Sequence, residues 1–145
     1  MDGRGHCEVH VRHRQNKRDG VYRPFDPKNE TFEASFGTSR ARFDYYARKR
    51  LENAHLQNTA PTYGWVKEAV GVTKVLLNKE LDRQIETPLL LCQASRDTVV
   101  CLPEQNRFVS LLPHAQLRAF DAKHEIYMST NDIMREYVPT VISFL

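Results

Sequence analysis

The chain has little that would tie it together covalently or bury it in a bilayer. Its three cysteines, Cys7, Cys92 and Cys101, make no even-numbered framework, and two of them lie in or beside apolar, strand-like sequence. They read as reduced thiols in a reducing compartment. No apolar run approaches the roughly 18 to 20 residues that a membrane helix needs, and the charged start of the chain has no signal-peptide core. A cytoplasmic protein is expected, with any membrane contact peripheral, at the inner membrane. Internal repeats and low-complexity tracts are also missing. His6, Cys7, His10 and His13 have ligand chemistry, but no second pair at fixed spacing accompanies them, so no metal site is expected.

What is present fits one modest core. The chain has 145 residues, of which 41% are hydrophobic, enough for a single domain or a piece of a larger one. The net charge of +3 arises mainly in the first fifty residues. That balance permits attraction to anionic headgroups or nucleic acid without requiring either. Arg12, Arg14, Lys17 and Arg18 come with Tyr22 but no aromatic platform, and read as a solvated basic loop with no nucleic-acid partner.

Three stretches follow one another. Residues 1–37 are polar, basic and aperiodic, with Asp19-Gly20, Pro24 and Pro27 as breakers, and form a loop-like leading segment. Residues 38–80 are helical. Phe43, Tyr46, Ala47 and Leu51 recur at helical spacing after a cap at Thr38 or Ser39. Asn58-Thr59-Ala60-Pro61 then breaks the pattern, and Thr62 opens a second helix to about Asn78. Its stripe is Trp65, Ala69, Val72 and Leu76, widened by Val66, Val70 and Leu77. These two helices fit an inserted cap or ordinary core helices equally well.

Residues 81–145 alternate strand and helix. Strands are expected at about Pro88 to Gln93 and Leu117 to Phe120, with a helix from Pro103 to Leu112 between them and another from Asp132 onward. Pro103 suits a first helical turn. Ser129 to Asp132 offers a capping box, and the buried stripe of the last helix would be Ile133 or Met134, Tyr137, Val141 and Ile142, with Pro139 expected to kink or split it. The alternation points to an α/β fold with a parallel sheet. Two strands are too few for an independent doubly wound domain, so the fold class expected is a partial one.

The first strand ends at Asp97, and the loop after the second presents His124, 27 residues later. One strand, helix, strand unit fits that spacing and places both strand ends on the same sheet edge. A carboxylate that orients an imidazole there is two thirds of a nucleophilic triad. Glu125 reads as a solvated carboxylate. Cys92 and Cys101 read as packing residues.

Asp97 with Val99-Val100 behind it, His124-Glu125 after the next strand, and a closing helix ending in Ile142-Ser143-Phe144 resemble the C-terminal part of an α/β-hydrolase. Tyr22-Arg23-Pro24-Phe25, Ser39-Arg40-Ala41-Arg42-Phe43 and above all Pro61-Thr62-Tyr63-Gly64-Trp65-Val66-Lys67-Glu68-Ala69 resemble the cap region of the bacterial lysophospholipase L2 family, relatives of monoacylglycerol lipases. The resemblance covers most of residues 21–145. It implies a serine ester hydrolase acting on a lysophospholipid or monoglyceride, with Asp97 as triad acid, His124 as general base, and Tyr63, Trp65 and Phe43 at the acyl-binding site. No cofactor is implied.

Hydrolases of that fold place the serine first, on a Gly-x-Ser-x-Gly elbow. The 145 residues contain no such motif; Ser35-Phe36-Gly37-Thr38-Ser39 is the nearest cluster and lacks the second glycine and the preceding strand. The resemblance therefore implies the cap plus the acid and histidine strands, catalytically silent alone. The alternative is a non-catalytic lipid- or protein-binding module on the same scaffold. An isolated piece with raw strand edges is expected to self-associate.

Overall fold

Two parallel strands joined by a helix organise the C-terminal half of the protein. The structure is a computed structural model and describes residues 25–57, 63–76 and 84–145. Strand β1 (Leu89–Ala94) runs beside β2 (Ala115–Phe120), in a register that starts with Leu89 opposite Ala115 and ends with Ala94 opposite Phe120. Helices α1 (Arg40–Glu52) and α2 (Tyr63–Leu76) precede the strands, α3 (Leu102–Leu111) connects them, and α4 (Asn131–Phe144) closes the chain. The strands and the helices after them lie within two residues of their expected ends, whereas α1, expected to reach Leu56, stops at Glu52 and is followed by a 3-10 turn, Ala54–Leu56. Mixed helices around a two-stranded parallel sheet make this a partial α/β arrangement.

The core lies at the C-terminal ends of the strands. Ala94, Phe120, Ala122 and Ile126 are buried together, with Cys92, Ile133 and Tyr137 packed against them. The Phe120 and Tyr137 rings meet edge to face at 5.4 Å, so that α4 is pinned to β2. Gln93 fastens α3 from below: its buried amide donates to Gln105 Oε1 at 2.9 Å and Asn106 Oδ1 at 3.0 Å. A short 3-10 turn, Ile126–Met128, carries the chain from the β2 loop into α4.

Several details depart from the sequence reading. The apolar run of β1 reads as a buried strand, but Leu89, Leu90 and Leu91 are half-buried and only Gln93 and Ala94 at its end are enclosed. The α1 stripe is rotated: Phe43, Ala47 and Arg50 face inward while Tyr46 and Leu51 are exposed. Arg50 causes this rotation. Its guanidinium pairs with Glu30 at 2.6 Å, donates to the Leu56 carbonyl and lies 4.6 Å from the centre of the Phe25 ring, which satisfies a charge at a helical position otherwise apolar.

At α4 the N-cap is Thr130, with no side-chain bond, rather than a Ser129 capping box. Ser129 is fully enclosed one residue earlier, and Asp132 pairs with Arg135 instead. The helix also runs through Pro139 without splitting. Arg135, whose carbonyl loses its amide partner there, lies on the exposed face, where that carbonyl need not be desolvated. Ile142 is exposed, outside the stripe of half-buried Ile133, Met134, Tyr137 and Val141.

On α2, Val66 and Ala69 are half-buried, whereas Trp65, Val70, Val72 and Val75 are exposed. Cys101 is disulfide-bonded, which corrects the expectation of three reduced thiols; Cys92 is a free thiol. Among the described residues, no helix is long and apolar enough to cross a membrane.

Candidate active site

The turn after β1 and the loop after β2 are stitched together by backbone. Ser95 N–H donates to the Phe120 carbonyl at 2.9 Å, and Arg96 N–H to the Ala122 carbonyl at 3.0 Å. Arg96 adds an ion pair to Asp121 at 2.7 Å and a hydrogen bond to the Asp121 carbonyl, also at 2.7 Å. These bonds extend the pairing of Ala94 with Phe120 beyond the strand ends. Asp97 and His124 follow immediately on the two chains, so parallel pairing brings them side by side.

Asp97 Oδ2 lies 2.8 Å from His124 Nδ1. The other carboxylate oxygen accepts from Val99 N–H at 2.7 Å and Val100 N–H at 3.2 Å, an Asx-type turn that fixes the side chain. The Asp97 side chain is 3% exposed and that of His124 37%, so the acid is enclosed while the imidazole reaches solvent. Burial pushes the Asp97 carboxyl up, but the hydrogen bonds from His124, Val99 and Val100 outweigh it and hold the group below its ordinary value. It is therefore ionised at neutral pH and can only accept. Nδ1 must then carry the imidazole proton, which leaves the Nε2 lone pair free to take one.

A second segment also holds the histidine loop. Thr38 and Ser39 N–H both donate to the Met128 carbonyl, at 3.1 and 3.0 Å, and Glu125 N–H donates to the Phe36 carbonyl at 3.1 Å. The Phe36 ring stands 5.9 Å from the His124 ring, with the planes 78° apart. The Ser35 to Ser39 cluster thus lies against the histidine loop. Nothing in composition or periodicity marked Phe36 or the Arg96–Asp121 pair; their partners are distant in sequence.

The other residues singled out from the sequence are scattered. Phe43 is buried, edge-on to Phe32 at 5.7 Å. Trp65 is exposed on α2, and Tyr63 opens that helix. Glu125 is not merely solvated: its Oε1 accepts from Tyr127 Oη at 3.1 Å. Desolvation, helped by the Glu125 charge, pushes the Tyr127 hydroxyl up to about 12. Burial pushes the Cys92 thiol up, leaving it a poor nucleophile at neutral pH. Among the described residues no group of His, Cys, Asp and Glu side chains is arranged to hold a metal ion; the His6, Cys7, His10 and His13 cluster lies outside them. A shallow groove of about 520 Å³ lies between α1 and the start of α4, lined by Arg42, Tyr45, Tyr46, Lys49, Met128 and Asn131.

An imidazole held through Nδ1 by an enclosed carboxylate, and itself partly open to solvent, can accept a proton at its other nitrogen. One comparison found a similar protein. The chain is 25% identical over 107 residues to the "Probable lysophospholipase L2" of Haemophilus influenzae. The match takes in 73% of this chain but 34% of that protein, so the chain spans about a third of the length of the curated relative it matches. No protein-family model matches the chain, and no solved structure does.

Proposed function

We propose that this chain supplies the acid and the general base of a serine ester hydrolase of the α/β-hydrolase fold, acting on lysophospholipids. The observation that carries the reading is the 2.8 Å hydrogen bond between Asp97 and His124 at adjoining ends of two parallel strands. The similarity to a protein named as a lysophospholipase supports the substrate class; a monoglyceride is the related alternative. The nucleophile is a serine outside these 145 residues, which contain no Gly-x-Ser-x-Gly elbow.

In that mechanism His124 Nε2 takes the proton from the serine hydroxyl as its oxygen attacks the ester carbonyl. The same proton passes to the departing alcohol oxygen; water, deprotonated by His124, then attacks the acyl-serine, and His124 returns that proton to the serine oxygen as the acyl–oxygen bond breaks and the fatty acid leaves. Asp97 keeps the imidazole in the Nδ1–H form and stabilises the imidazolium. Tyr63 and Trp65 would meet the acyl chain. Contact with a membrane surface would be peripheral.

The test is hydrolysis of a lysophospholipid and a short p-nitrophenyl ester, first by this chain alone and then together with the polypeptide encoded upstream of it. The first should match a His124→Ala control at background. The second should hydrolyse lysophospholipid and lose that activity in the control. Activity indifferent to His124, or an upstream sequence with no serine elbow, would defeat the reading. The missing elbow also favours a second reading, a lipid- or protein-binding module, which the same failure would promote.

A further inference from the structure

One hydrogen bond through Nδ1 does not by itself hold an imidazole, because the outer torsion of a histidine side chain is broad and the ring of His124 is partly in water. The ring has a second neighbour. Phe36 meets it edge to face at 5.9 Å, yet Phe36 is 45% exposed and makes no part of the apolar core.

Its backbone is bracketed on both sides. The Phe36 carbonyl accepts Glu125 N–H, the residue directly after His124. The Ser35 carbonyl accepts Lys123 Nζ at 3.4 Å, from the residue directly before it. Gly37 then lies flush on Met128, and Thr38 and Ser39 both bond the Met128 carbonyl. Segment 35–39 thus grips residues 123–128 at several points, and its Phe36 ring meets that of His124.

We infer that Phe36 is a positioning residue for His124: its ring closes off rotation of the imidazole away from Asp97 and so maintains the Nδ1–H form with Nε2 outward. This rests on the acid and base reading of the pair. Edge-to-face contacts of this kind have a worth that converts to about a two- to tenfold bias between held and released rings.

The experiment is long-range proton–nitrogen NMR of the full chain labelled at its histidines, with His124 assigned by its loss in His124→Ala. The native chain should show His124 mainly as the Nδ1–H tautomer. Phe36→Tyr, which keeps the ring, should preserve that ratio. Phe36→Leu should shift it about two- to tenfold toward the mixture of a solvated imidazole, with the thermal midpoint little changed because the main-chain bracket survives. Phe36→Met, also ringless, gives the same reading should the leucine variant fail to fold. Ringless variants that retain the native ratio would overturn the role of Phe36. A native His124 with no Nδ1–H preference would instead overturn the pair itself, which separates the two failures.

Discussion

Gly37 lies so close to Met128 that a methyl group on it would stand 2.7 Å from the Met128 Cβ and 2.9 Å from the Met128 carbonyl oxygen. That approach allows Thr38 and Ser39 to share the Met128 carbonyl and seats the start of α1 on the histidine loop. The contacted atoms are a Cβ and backbone, neither of which can swing aside.

Gly37→Ala should therefore push the two segments apart and lower stability by about 1–3 kcal/mol, the range for overpacking. Chemical denaturation followed by circular dichroism measures it. An unchanged midpoint would mean that the two segments are not in register as described.

Asp97 links stability to pH. Its carboxyl is depressed in the folded protein, so the stabilisation is fully present above the ordinary value of 3.8 and is lost as pH falls through the lower folded value. Thermal midpoints of the native chain and of Asp97→Asn should differ most near neutral pH and converge in acid below 3.8. A difference that grew on acidification would contradict the sign.

Arg50 is the charged residue inside the α1 stripe. Arg50→Met keeps the aliphatic stem but leaves the Glu30 carboxylate and the Leu56 carbonyl without the guanidinium, and should cost about 2 kcal/mol. Arg50→Lys should recover only part of that, since an ammonium cannot bridge Glu30 and Leu56 while stacking on Phe25. Urea midpoints of the three proteins should fall in the order arginine, lysine, methionine.

Phe120 is the largest side chain of the small core and carries the contact with Tyr137. Phe120→Ala should remove about 3–5 kcal/mol, a large share of what a domain of this size possesses. Loss of cooperative thermal unfolding is expected; a shift of only a degree or two would show that α4 is held mainly by other contacts.

Exposed Val70, Val72 and Val75 on α2 and half-covered Leu89 to Leu91 on β1 leave apolar surface at several places. Light scattering behind a sizing column should give a mass above the 16.9 kDa of one chain, rising with concentration. A monomer at every concentration would argue against raw strand edges.

Much of the local structure was legible from pattern alone. The apolar run into Asp97 and the strand-like run from Gln116 to Phe120 marked the two strands because each is a short apolar-rich stretch bounded by turn-forming residues. Pro103 located the first turn of α3, and the strand, helix, strand order brought Asp97 and His124 to one edge. That step needs only the connectivity rule for parallel strands.

What the sequence determined is thus the order of elements, the parallel pairing, and the acid and histidine at its edge, all consequences of periodicity and short connections. Only the tertiary structure decided which way α1 turns, because Arg50 finds Glu30 and Phe25 across a distance that helical spacing does not encode. The same holds for Phe36 beside His124, some ninety residues apart: their contact depends on Gly37 permitting the approach to Met128, and no local propensity records a close approach between distant chains.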